Sequence, residues 1–162
     1  MRRFPGFPLA AALAAAVTLA AGTLAFDAAA AGLPYDEHAD ANAELQRALA
    51  AARTDRNDVL VVFGANWCPD CRELDKALNG SSHALIAGRF EVVKVDVGRF
   101  DKNLELANQY GNPIKMGIPA VVVLTADNRV VYSSKGGELA NARKMGDTGI
   151  YDFLSSHVAA AH

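Results

Sequence analysis

Val59 to Phe63 reads VLVVF, an unbroken apolar run of strand length, and the next eight residues (GANWCPDC) hold both cysteines of the chain. A run apolar at every position suits a strand buried on both faces, which calls for helices on either side of a sheet. Leu74, Ala77 and Leu78 then recur at helical spacing. The pattern predicts a helix beginning at or near Cys68 and stopping at Asn79-Gly80. Pro69 fits the first turn of such a helix, where its missing N–H is no loss.

The other elements follow from periodicity and punctuation. Asp40 can cap a helix whose Ala41, Leu45, Ala48, Leu49 and Ala52 share one face. Ser82–Gly88 reads as a short helix, Glu91–Val97 as a second strand, and Asn103–Tyr110 as a helix ended by Gly111. Ala120–Thr125 and Arg129–Ser134 are strands joined by a hairpin signal, ADN. The last helix carries Ile150, Phe153, Leu154, His157 and Val158 on its inner face, with Thr148 as cap. Lys135–Gly149 before it is polar, a solvated connection or a docking loop. The order predicts an α/β fold: a mixed sheet with helices on both faces, built as βαβ then ββα behind an extra N-terminal helix.

The first residues read as an address. Arg2 and Arg3 precede an uncharged, alanine-rich run from Leu9 to Phe26, and Ala29 and Ala31 form a small-x-small exit. This describes a secretory signal peptide over 1–31 cleaved near Ala31, the alternative being an uncleaved membrane anchor. A flexible lead-in over 32–39 and one domain over 40–162 then follow. The chain carries a net charge of −2, and loss of Arg2, Arg3 and Asp27 leaves the rest slightly more acidic. No basic field exists for nucleic acid or an anionic membrane.

Export implies an oxidising compartment, where a cysteine pair becomes a disulfide. So short a loop constrains the unfolded chain little, so a purely structural staple explains the pair poorly. A helix N-terminus favours a thiolate at Cys68, and Cys71, one turn on, is placed to resolve a mixed disulfide. Metal is the competing use. Two cysteines do not complete a tetrahedral site, and His38, His83, His157 and His162 show no ligand spacing.

WCPDC after a buried strand, with GIPA (Gly117–Ala120) opening a later one, resembles the thioredoxin superfamily. Within it, the chain is most similar to small exported thioredoxin-like proteins often labelled disulfide isomerases. The resemblance covers about Asp40 to Val158. It implies a thioredoxin fold, Cys68 as attacking thiol, Cys71 as resolving thiol, and a cis Ile118–Pro119 bond beside them that helps hold extended substrate. Trp67 matches the tryptophan before the motif, and Gly136-Gly137 the glycine region after the hairpin. Met116 and Ile118 would offer substrate apolar contact.

Two residues depart from that pattern. Where many relatives carry a buried aspartate, this chain has Val62, so the proton of Cys71 needs water or another carboxylate; Asp70 or Glu73 could serve, but both read more simply as solvated surface charges. Between the cysteines stand Pro69 and Asp70, where strongly oxidising relatives have a histidine. A carboxylate there disfavours the thiolate and pushes the couple towards reducing, with Arg72 a partial offset.

The expectation is an exported, periplasmic protein-disulfide oxidoreductase, reductase or isomerase rather than strong oxidant. It needs no cofactor beyond its own dithiol, acts on protein or peptide disulfides, works as a monomer, and as a reductant draws electrons from a membrane reductase. The alternatives are a binding or chaperone module with a passive disulfide, and a copper-handling metallochaperone.

Overall fold

The computed structural model describes residues 32–159; the leader, the Ala31 junction and His162 lie outside them. In chain order the elements are α1 (Ala41–Asp55), β1 (Asp58–Gly64), α2 (Pro69–Asn79), α3 (His83–Ile86), β2 (Phe90–Asp96), α4 (Leu104–Gln109), β3 (Ala120–Leu124), β4 (Val130–Ser133) and α5 (Ala142–Phe153). Asp40 caps α1 as its position predicts, its carboxylate accepting the Ala43 N–H at 3.0 Å. Such a cap contributes about 1 kcal/mol.

The four strands form one sheet in the order β2-β1-β3-β4. β1 runs parallel to β2 and antiparallel to β3, and β3 pairs antiparallel with β4. VLVVF thus lies in an inner strand, and every residue of it is buried. Alternation along β1 feeds two cores. Val59, Val61 and Phe63 pack with Leu45 and Leu49 of α1 and Leu106 of α4. Leu60 and Val62 pack with Leu74 and Leu78 of α2 and Ile150 of α5. Helices therefore cover both faces, the thioredoxin fold.

The C-terminal third differs from its sequence pattern in two places. Within the polar stretch Lys135–Gly149, Leu139 and Ala142 are fully buried, and α5 already begins at Ala142. Its first turn breaks at Gly146, whose φ of 63° and ψ of −178° favour glycine, before the helix resumes. Thr148 therefore lies inside the helix and caps nothing. Beyond α5, Leu154–Val158 form a π-helical turn. The wider turn rotates the last residues about the axis, so Val158 is buried but His157 is exposed. The inner-face placement read for His157 fails for that reason. Its ring instead stacks on Phe153, centroids 4.8 Å apart.

Candidate active site

β1 ends at Gly64, and the next four residues turn the chain into α2, the N–H of Cys68 bonding to the Ala65 carbonyl at 3.1 Å. Cys68 is the N-cap of α2, with extended backbone, and Pro69 opens the first turn. The Cys71 N–H donates to the Cys68 sulfur at 3.2 Å. Cys68 and Cys71 are joined as a disulfide, with Cα atoms 5.3 Å apart. When the bridge opens, the same N–H and the helix terminus favour a thiolate on Cys68. The cysteines are unequal in access: Cys68 retains 4% of its surface, Cys71 none.

The Ile118–Pro119 loop sits against this pair. Its peptide bond is cis, and the Ile118 carbonyl oxygen lies 3.6 Å from the Cys68 sulfur. A 3₁₀ turn over Pro113–Met116 leads into the loop and leaves Met116 58% exposed. From behind, Gly137 approaches so closely that a Cβ there would stand 2.6 Å from the Met116 carbonyl oxygen. Its φ of 71° also favours glycine. Trp67, 46% exposed, flanks the other side. Its indole N–H donates to the Gly98 carbonyl at 2.7 Å, its ring meets Phe100 edge-on, and the Arg99 guanidinium stands 5.9 Å from its centroid.

Asp70 is not the solvated charge its sequence position suggested. Its carboxylate accepts the Arg143 backbone N–H at 3.0 Å and both arms of the Arg143 guanidinium at 3.2 Å. Burial alone would raise its pKa, but these bonds outweigh that effect and hold the carboxyl below its ordinary range. Arg143, not Arg72, supplies the offsetting charge, since Arg72 turns to the Asn66 carbonyl at 3.3 Å. Glu73 pairs with Lys76 at 3.5 Å. Val62 is buried in the apolar cluster beneath α2.

The structure brings Trp67, Cys68, Pro69, Asp70, Cys71, Ile118 and Pro119 to one end of the sheet, and adds residues the sequence did not mark. Asn66 fixes the lead-in: its side chain accepts the Tyr35 N–H at 3.0 Å and donates to the Tyr35 carbonyl at 2.8 Å and Glu37 at 3.0 Å. Tyr35 is buried, and its hydroxyl fills the space a Gly64 Cβ would need. No periodicity marks a lone buried tyrosine in a loop; the glycine at the end of an otherwise bulky strand was the available signal. Among the described residues, no three His, Cys, Asp or Glu side chains group as a metal site.

A family model described as thioredoxin-like matches residues 40–126. Among solved structures, a disulphide isomerase from Xylella fastidiosa Temecula1 is 62% identical over 78% of this chain and 98% of its own, with a TM-score of 0.75. A mutant thioredoxin from Halobacterium salinarum NRC-1 is 28% identical over 71% of this chain and 83% of its own, at 0.44. The oxidised C-terminal domain of DsbD from Neisseria meningitidis is 23% identical over 67% of this chain and 97% of its own, at 0.47. No curated protein matches the chain.

Proposed function

The chain belongs to the thioredoxin-like family, and on that premise we propose that it is an exported thiol–disulfide oxidoreductase acting on protein or peptide disulfides. One observation carries the reading. A sulfur that accepts a helix N-terminal N–H keeps a small opening to solvent, 4% of its residue's surface, beside the Ile118–Pro119 loop, while its partner residue keeps none. An attacking thiol needs access and a stabilised thiolate, and a resolving thiol needs proximity only.

Cys68 attacks a substrate disulfide, a mixed disulfide forms, and Cys71 displaces the substrate sulfur to leave the Cys68–Cys71 bridge. Trp67 next to Cys68, Phe100 against its ring, and Met116 ahead of the Ile118–Pro119 loop expose apolar surface suited to an extended or unfolded chain. Pro69 sets the helix start, and Ile118–Pro119 forms the edge along which substrate lies. The dithiol itself carries the two electrons, so the reaction needs no other cofactor.

The direction we assign is reductase or isomerase. The 62% identical structure bears the name disulphide isomerase, and no histidine stands between the cysteines. Asp70 pushes the same way, though less than a lone carboxylate would, because Arg143 meets its charge. A leader of basic, apolar and small residues over 1–31 supports export to the periplasm. A monomer there working as a reductant takes its electrons from a membrane reductase.

Mixed-disulfide trapping tests the exchange. Reduced protein carrying Cys71→Ser, incubated with a disulfide-bonded protein, should hold it covalently through Cys68, and Cys68→Ser should hold nothing. Cysteines that stay unreactive in the native wild-type chain would mark a passive bridge and overturn the proposal.

A further inference from the structure

Cys71 is fully buried, so in the resolving step its proton has no direct route to solvent. The residue beneath α2 at position 62 is a valine, which accepts no proton. The neighbouring strand supplies what β1 lacks. In the parallel register, Val62 pairs with Lys94 and Gly64 with Asp96, so these four residues face the same side of the sheet. That side is the one α2 covers.

Gly64 leaves an opening there. A Cβ on it would collide with the Tyr35 hydroxyl and stand 3.0 Å from the Cys71 sulfur, so hydroxyl and sulfur flank a single point. The Asp96 side chain rises one strand away from that point, about 5 Å at normal strand spacing. Asp96 is 5% exposed, and its Oδ2 is buried without accepting a hydrogen bond. Lys102 Nζ forms an ion pair with it at 3.3 Å.

Burying a carboxylate is costly even beside an ammonium, and a functional role is one reason to retain one. Asp96 also lines a cleft of about 350 Å³ that opens beside Trp67. The charged groups around it are Lys94 on its own strand, Asp75 on α2 (paired with Lys94), Lys102 beyond the strand, and Glu37, Arg99 and Asp101 across the cleft.

We propose that Asp96 takes the proton that Cys71 must lose, through the hydroxyl of Tyr35, so that these two form the proton relay of the resolving step. The inference rests on the exchange reading above. The Cys71 thiol proton passes to the Tyr35 oxygen as the Tyr35 proton passes to the Asp96 carboxylate. The freed sulfur pair forms the bond to Cys68, the Cys68–substrate bond breaks, and the substrate sulfur leaves as a thiolate. Asp96 then returns the proton to water through the cleft. Burial, with Asp75 and Asp96 adding to it, keeps the Tyr35 hydroxyl protonated far above its ordinary range. It therefore relays a proton without ionising.

Single-turnover kinetics of the reduced full chain with one equivalent of a chromogenic aryl disulfide test this. The first release of coloured thiolate reports attack by Cys68, and the second reports resolution by Cys71. Asp96→Asn and Tyr35→Phe should each slow the second phase about tenfold or more at neutral pH and displace its pH profile to the alkaline side. Both should leave the first phase unchanged, which also shows that the site is folded. The double variant should be no slower than either single one.

A carboxylate that was only a bystander would do the reverse. Its charge opposes the Cys71 thiolate, so its removal would speed the second phase. An unchanged or faster second phase in Asp96→Asn overturns the relay while leaving the exchange reading intact. A wild-type chain with no second phase overturns the exchange reading and the relay with it.

Discussion

Arg143 meets Asp70 across 73 residues of sequence, binding its carboxylate through one backbone and two guanidinium N–H groups. The kinked start of α5 is thereby tied to the turn between the two cysteines. The residue expected to bias the couple is thus half of an ion pair whose other half comes from a segment that read as loop.

Opposite substitutions in that pair should move the reduction potential in opposite directions. Arg143→Ala leaves an unpaired carboxylate beside Cys68, disfavours its thiolate and should lower the potential. Asp70→Asn leaves the guanidinium alone and should raise it. Shifts of about 10–30 mV each are expected, where 30 mV corresponds to about 1.4 kcal/mol. Equilibration with glutathione measures both, and shifts of the same sign would contradict the electrostatic account.

Acid should expose the same pair thermodynamically. Asp70 and Glu138 are both held below their ordinary range. In each, burial opposes the shift and hydrogen bonds overcome it: from Arg143 for Asp70, and chiefly from backbone N–H groups, Lys135 and Gly136 among them, for Glu138. A depressed carboxyl favours folding above its unfolded value of about 4, and that contribution disappears as pH falls through the folded value. Melting temperature should therefore decline below about pH 4, and less steeply in Glu138→Gln and Arg143→Ala. At neutral pH each variant should itself be less stable, by about 1 kcal/mol or less. Calorimetry across pH 2–7 (an approximate working range) reads both effects.

Trp67→Ala should separate large substrates from small ones. The exposed indole next to Cys68 meets Phe100 edge-on, and the two offer apolar surface that an extended chain can cover and a small disulfide cannot. Reduction of a protein disulfide should slow about tenfold, from a loss of about 1–2 kcal/mol of contact, with little change for a small aryl disulfide. Equal losses on both would assign Trp67 to the thiolate rather than to substrate.

The sheet and the helices of both layers were legible because each carries its own periodicity, as in the apolar run 59–63 or the face of α1. The disulfide and the Ile118–Pro119 loop were legible from motif and order. Three features were not. Leu139 and Ala142 are buried singly within polar sequence, where no period shows. The π-helical turn displaces His157 by backbone geometry that side-chain spacing presumes regular. Tyr35, Asn66 and Arg143 act at the site through contacts spanning tens of residues, and no local pattern encodes such a pair.

The space above Gly64 has an evolutionary consequence. A phenol and a sulfur share it, so position 64 is free to gain a methyl group only after position 35 has given up its ring. A lineage that keeps Tyr35 is bound to glycine at 64, and one that loses the tyrosine still sets any new methyl group 3.0 Å from the Cys71 sulfur. The two positions form a ratchet: drift at either must pass through 35 first.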